Sequence, residues 1–309
     1  MKIIGVTAGL LLMLNTAFGQ KIEKTYLDIR DSTANLYLSV LPAQQPWKGV
    51  LFLVPGFGGT PESVLAQTDL PNVAAQQGIL TIIPTFSPGI QSFGVDSLTQ
   101  QSFKEIIDHV VRKYGINDQK LFVGGFSIGG SCAVKFAELA IQENYRYKPA
   151  AIFAIDPPLD LERFYYTSKR MVRLSVQSKP SQEAVYMIGR IEQEMQGTPE
   201  KALPNYYKHA PYSFTDTTQT AIKHLLNTPV RLYTEPDVDW WLQERGSDFS
   251  TMNALDISAM INELQRLGHK NAFLITTEQK GYRQPGHKRH PHSWSIAEPT
   301  ELVAWLLKQ

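Results

Sequence analysis

The sequence predicts an α/β fold: a mostly parallel central sheet with helices on both faces and a long helical insertion. Three observations predict it. Short continuous apolar runs bounded by turn residues recur along the chain, as strands buried on both faces do. They alternate with segments of helical apolar spacing, an order that calls for crossover helices and parallel strands. The chain is also large and apolar enough to enclose such a sheet, with 309 residues, 43% hydrophobic, 19% charged and a formal net charge of +1.

Alternating patterns over residues 25–30 and 35–41 read as an opening pair of strands. Residues 49–54 (GVLFLV) are a buried strand that ends in the turn cluster Pro55-Gly-Phe57-Gly-Gly59. Residues 61–77 carry mixed helical spacing, and residues 79–83 form a second buried strand stopped by Pro84. Phe103, Ile106, Ile107, Val110, Val111 and Tyr114 share one helix face, with Gly115 as the C-terminal stop. Further strands are expected over residues 121–124, 150–155, 230–234 and 272–276, and a last helix over 299–307, where proline suits the first turn. Residues 157–228 break the alternation: helical stretches at 159–176 and 182–195 and a concentration of aromatics suggest a lid or an elaboration at the sheet edge.

The first nineteen residues stand apart. Lys2, an apolar run over residues 3–14 and Ala17-Phe18-Gly19 form the charged, apolar and small-residue regions of a cleavable secretory leader. The run is shorter than the roughly 20 residues a membrane span needs. The expectation is a secreted or periplasmic protein over residues 20–309, with no membrane span once the leader is removed. The single cysteine, Cys132, excludes an internal disulfide framework and a cysteine-based zinc cluster. Balanced charge argues against nucleic acid as a partner, because phosphate binding draws on a basic excess.

Chemistry concentrates at Gly125-Phe-Ser127-Ile-Gly129, a G-x-S-x-G pentamer between an expected strand and an expected helix. A serine on so sharp a turn projects its hydroxyl beyond the sheet, and glycines two residues either side relieve the crowding of strand against helix. A hydroxyl nucleophile needs a base, and the base needs an orienting carboxylate. His292, within Arg289-His-Pro-His-Ser-Trp294, lies after the last strand and before the last helix; His290 and His287 compete with it. A metal tract of the three histidines is disfavoured by the fixed cations Lys288 and Arg289 among them.

Over residues 46–309 the chain resembles an α/β-hydrolase. His-Ser-Trp at 292–294 is similar to the histidine segment of esterases related to S-formylglutathione hydrolase and feruloyl esterases. The resemblance implies a serine esterase with Ser127 as nucleophile and His292 as base. It implies the backbone amides of Phe57 and Ile128 as the oxyanion hole, with Pro55-Gly56 standing where His-Gly is usual. Family order places the acid after the strand at 230–234, where Asp237 matches best; Asp239 and Glu235 are neighbours, and Asp156, one strand earlier, is an alternative used by some members of the fold. A small-molecule ester would be the substrate, with no cofactor and no metal. Peptidase and acyltransferase chemistry, or a binding protein that has lost turnover, stay open, as does the oligomeric state.

Overall fold

The computed structural model describes residues 20–28, 30–116, 119–175 and 182–309; the leader expectation falls outside them. The main sheet has eight strands: β1 (Lys21–Tyr26), β2 (Leu36–Leu41), β3 (Gly49–Val54), β4 (Ile79–Thr85), β5 (Lys120–Phe126), β6 (Ala151–Ile155), β7 (Val230–Thr234) and β8 (Ala272–Thr276). Their spatial order is β1-β2-β4-β3-β5-β6-β7-β8. β1 pairs antiparallel with β2, and β2 antiparallel with β4; every pair from β4 to β8 is parallel. All six residues of β3 and all seven of β4 are buried, which is why β3 reads as a continuous apolar run and β4 as a largely apolar one rather than as alternations.

Helices cover both faces. α1 (Pro61–Gln67) and α2 (Leu70–Gln76) divide the expected 61–77 segment. The break lies at Thr68, whose hydroxyl accepts from the Leu70 amide, and each helix carries proline in its first turn. α3 (Ser97–Tyr114) is capped by the Asp96 carboxylate and ended by Gly115 in the left-handed conformation, φ +64°. α4 (Ile128–Gln142) follows β5. The insertion between β6 and β7 supplies α5 (Leu161–Leu174), α6 (Gln182–Met195) and α7 (Pro199–His209), with no strand of the main sheet among its described residues. α8 (Val238–Arg245), α9 (Ala254–Arg266) and α10 (Pro299–Leu306) complete the chain, and none of the described helices is long and apolar enough to cross a membrane.

Two apolar clusters sandwich the sheet. Phe52, Phe103, Phe136, Leu232 and Ile257 belong to one, and Leu51, Phe122, Phe153, Leu302 and Trp305 to the other. At about 2 kcal/mol for each large side chain removed from water, these layers dominate the stability of the sheet. A third cluster, with Ile128, Tyr165, Met187, Ile191 and Tyr206, joins the insertion to the start of α4. The buried ion pair of Arg163 (α5) with Asp256 (α9) fastens the insertion from the other side.

One strand is displaced from its expected place. β1 occupies residues 21–26, not 25–30, because Tyr26 pairs with Leu36 and the chain must then turn. The Asp31 carboxylate accepts from the Thr33 amide at 2.9 Å and its hydroxyl at 2.6 Å, a local turn that overrides the alternation. The parallel strands matter most at their C-terminal ends. The chain leads from β3 to β4 on one side and from β5 to β6 on the other, so the loops after β3 and β5 diverge and leave a crevice there, where ligands of open α/β sheets bind.

Candidate functional site

Ser127 occupies that crevice, between the last residue of β5 and the first of α4, at φ +53° and ψ −128°. A serine at such angles costs about 1–3 kcal/mol and persists only where the surroundings over-determine it. The surroundings are close-packed backbone. A Cβ on Gly125 would lie 2.4 Å from the Gly129 carbonyl oxygen, and one on Gly129 would lie 2.2 Å from that of Pro55. The Ser127 amide donates to Ile155 O at 2.9 Å, and the Gly130 amide donates to Ser127 O at 2.8 Å, so the turn is tied on both sides. The pentamer spacing is thus a steric requirement of bringing β3, β5 and α4 together.

His292 lies on the loop after β8. Its Nδ1 is 2.6 Å from Asp156 Oδ2, and its ring packs on Phe126 with centroids 4.5 Å apart. Arg283 donates to the His292 carbonyl from Nε at 3.2 Å and Nη2 at 3.1 Å, fixing the backbone beneath the ring. A carboxylate at Nδ1 makes that nitrogen the protonated one and leaves Nε2 with a free lone pair. Asp156 directly follows β6, at φ +47°. Its amide donates to Tyr233 O at 2.8 Å, its carbonyl accepts from Asn253 Nδ2 at 2.9 Å, and its Oδ1 accepts from Thr234 Oγ1 at 2.7 Å.

The carboxylate that meets His292 in the structure is Asp156, and the expected Asp237 meets Arg289 instead. Asp237 is the N-cap of α8, accepting from the Trp240 amide at 3.0 Å, and its other oxygen pairs with the Arg289 guanidinium. Glu235 is buried and wholly engaged: it accepts from Thr277 Oγ1 at 2.9 Å and from the Lys280 and Gly281 amides at 2.9 and 3.1 Å, and it pairs with Arg289 Nη1 at 2.7 Å. Asp239 is exposed in the first turn of α8, where a carboxylate suits the helix dipole. The physical reason for the difference is Arg289, a fixed cation on the histidine loop that claims both carboxylates at the end of β7.

The competing histidines are engaged elsewhere. His290 is buried against the rings of Trp240 and Trp241, at 4.7 and 5.7 Å. Burial, reinforced by the Arg283 cation, pushes its pKa down to about 3. His287 stacks flat on Tyr282 with centroids 4.2 Å apart. Among the described residues, no group of three His, Cys, Asp or Glu side chains converges as a metal would require.

Ser127, Asp156 and His292 line one cavity of about 180 Å³. Its apolar wall includes Phe57, Phe164, Met171, Met187, Trp241 and Met252, so α5 and α6 of the insertion form part of it. No lysine or arginine is among the described lining residues, whereas Glu183 is. Phe57 and Ile128 also face this space. Ile128 is the first residue of α4, where an amide has no intrahelical acceptor and the helix dipole is positive. In the loop after β3 the Gly58 amide donates to Ile90 O and the Gly59 amide to Gly56 O, while the Phe57 amide has no acceptor among the described residues. A serine hydroxyl, an imidazole bound to a carboxylate through Nδ1, and two amides without an acceptor among the described residues, all around one cavity, suit acyl transfer.

No protein-family model matches the chain, and no curated protein matches it. Solved structures do. Carboxyl esterase 2 of the mycorrhizal fungus Tuber melanosporum aligns with a TM-score of 0.58 at 14% identity, over 96% of this chain and 88% of that one. An S-formylglutathione hydrolase from Agrobacterium tumefaciens aligns at 0.56 and 13%, over 95% and 97%. A hyperthermophilic esterase from the archaeon Pyrobaculum calidifontis aligns at 0.56 and 13%, over 93% and 85%. At these identities the likeness is one of architecture, and the architecture is the α/β-hydrolase fold.

Proposed function

We propose that this chain is an exported serine hydrolase that cleaves small, uncharged carboxylic esters through Ser127, His292 and Asp156. The observation that carries the reading is the 2.6 Å contact of His292 Nδ1 with Asp156, beside a serine held at φ +53° in the same cavity. His292 Nε2 takes the proton from Ser127 Oγ as the oxygen attacks the acyl carbon. The Phe57 and Ile128 amides receive the carbonyl oxygen as it becomes an oxyanion, a contribution of roughly 3–4 kcal/mol per donor in comparable sites. The proton on Nε2 passes to the departing alcohol. Water then attacks the acyl-serine, giving its proton to His292 Nε2, and that proton returns to Ser127 Oγ as the acyl–oxygen bond breaks and the acid leaves. Asp156 stays ionised throughout and stabilises the imidazolium.

The apolar wall, with no lysine or arginine among the described lining residues, supports an uncharged acyl group, since a carboxylate there would be desolvated beside the lining acids Asp156, Glu183 and Glu235. Export is supported by Lys2, the apolar run and Ala17-Phe18-Gly19. Mature protein from the native host is expected to begin at Gln20, and an intact leader in its mass spectrum would contradict export. The activity is tested with a fluorophosphonate probe and a panel of esters. Wild-type protein is expected to label and turn over neutral esters in preference to hemisuccinates, and Ser127→Ala to do neither while unfolding at nearly the wild-type temperature. Turnover by Ser127→Ala at the wild-type rate would overturn the reading.

A further inference from the structure

The end of β7 contributes no residue that touches the reacting atoms in this reading, yet it holds the histidine–aspartate pair from both sides. Thr234 is buried, 2% exposed, and lines the cavity. Its Oγ1 donates to Asp156 Oδ1 at 2.7 Å, while its carbonyl accepts from the Thr277 amide at 3.0 Å. The next residue, Glu235, anchors the histidine loop through the Lys280 and Gly281 amides and Arg289. With Oδ2 on His292 and Oδ1 on Thr234, each carboxylate oxygen of Asp156 has one side-chain donor, and its plane is fixed.

We infer that Thr234 is a positioning residue of the hydrolase: its hydroxyl orients the Asp156 carboxylate and sets how much negative charge remains on the oxygen facing His292. The inference rests on the reading of Asp156 as the acid that serves His292. A hydrogen bond donated to one carboxylate oxygen draws charge from the other and lowers the basicity of the group. Removing that donor leaves more charge on Oδ2, which favours the imidazolium form of His292, but it also frees the carboxylate to rotate. The first effect moves the acidic limb of kcat/KM toward higher pH, because that limb reports the base of the free enzyme. The second lowers kcat, because a misoriented imidazole is a poor base.

The experiment compares Thr234→Val, which keeps the shape and removes the hydroxyl, with Thr234→Ser and Asp156→Asn. Initial rates are measured on one neutral ester across pH. Thr234→Val is expected to lose roughly tenfold in kcat with KM little changed, and to shift its acidic limb upward by about half a pH unit. Thr234→Ser is expected to restore both the rate and the limb. Thr234→Ala, which relieves any strain of the added methyl, serves the same comparison should the valine variant not fold. A fall in rate with the limb unmoved and no recovery in Thr234→Ser means that Thr234 only packs the strand end, and it overturns the inference. So does a wild-type profile in Thr234→Val while Asp156→Asn collapses. Full activity in Asp156→Asn would instead overturn the reading on which the inference stands.

Discussion

The ends of β6 and β7 lie side by side in the sheet, both carry carboxylates, and both face the loop that bears His292, yet they do different work. Asp156 at the end of β6 meets an imidazole and a neutral hydroxyl. Glu235 and Asp237 after β7 meet Arg289, and Glu235 also takes two backbone amides and a hydroxyl. A carboxylate already neutralised by a guanidinium has little field left to stabilise an imidazolium that appears only during turnover. In the proposed mechanism that task falls to Asp156, whose side-chain partners are an imidazole and a hydroxyl rather than a guanidinium. The role of each acid follows from what the opposing loop presents to it, not from the acid itself.

The comparison is most severely tried by replacing the β6 acid. Asp156→Asn, which keeps the shape but donates where it should accept, is expected to lower kcat on the order of 10⁴-fold, as for a comparable triad change. Steady-state kinetics on one ester measures it, and a loss under tenfold would remove Asp156 from the mechanism. Next comes the clamp on the β7 side. Arg289→Met strands Glu235, whose side chain is 1% exposed, without its cation. Breaking such a pair is expected to cost about 3 kcal/mol in denaturant unfolding; a change within experimental error would show that Arg289 holds nothing.

A smaller effect separates the two histidines flanking Pro291. His290 has a folded pKa of about 3 against an ordinary 6.5. Between those values the unfolded chain binds a proton that the folded chain refuses, so stability falls as pH drops below 6.5. From pH 7 to 5 this group is expected to cost about 1–2 kcal/mol. His290→Phe should lose correspondingly less over the same interval, and an unchanged slope would contradict the neutral, buried role. The smallest effect belongs to Asp237→Asn, which retains an N-cap acceptor and loses one ionic contact. We expect it to cost about 1 kcal/mol or less in stability and to leave kcat within a few-fold of wild type.

What could be read from the sequence followed locality. Ser127 was legible because the glycines at 125 and 129 answer a steric need within five residues. The buried strands were legible because burial on both faces leaves a largely apolar run without alternation, continuous in β3 and interrupted by Thr81 in β4. His292 was legible from its place between the last strand of the main sheet and the last helix. Which carboxylate meets His292 was not, because that depends on pairings between distant segments: Asp156 with His292, and Glu235 and Asp237 with Arg289. Chain order put three acids after β7 and one after β6, and nothing in it tells which of them a guanidinium will claim. Asp156-Pro157-Pro158, an acid at the end of a buried strand beside β5, was the signal that pointed the other way. β1 was misplaced for a related reason, since its register is set by pairing with β2 and by the turn at Asp31.

The central claim is that the proton on His292 Nδ1 is bound by Asp156 and by no other carboxylate. Low-field proton NMR of ¹⁵N-histidine-labelled protein reads that proton directly, because an N–H bonded to a carboxylate resonates far downfield of an exposed imidazole N–H. A downfield signal is expected in the wild type, persisting in Asp237→Asn and lost or moved upfield in Asp156→Asn. A signal that survives in Asp156→Asn and disappears in Asp237→Asn would contradict it.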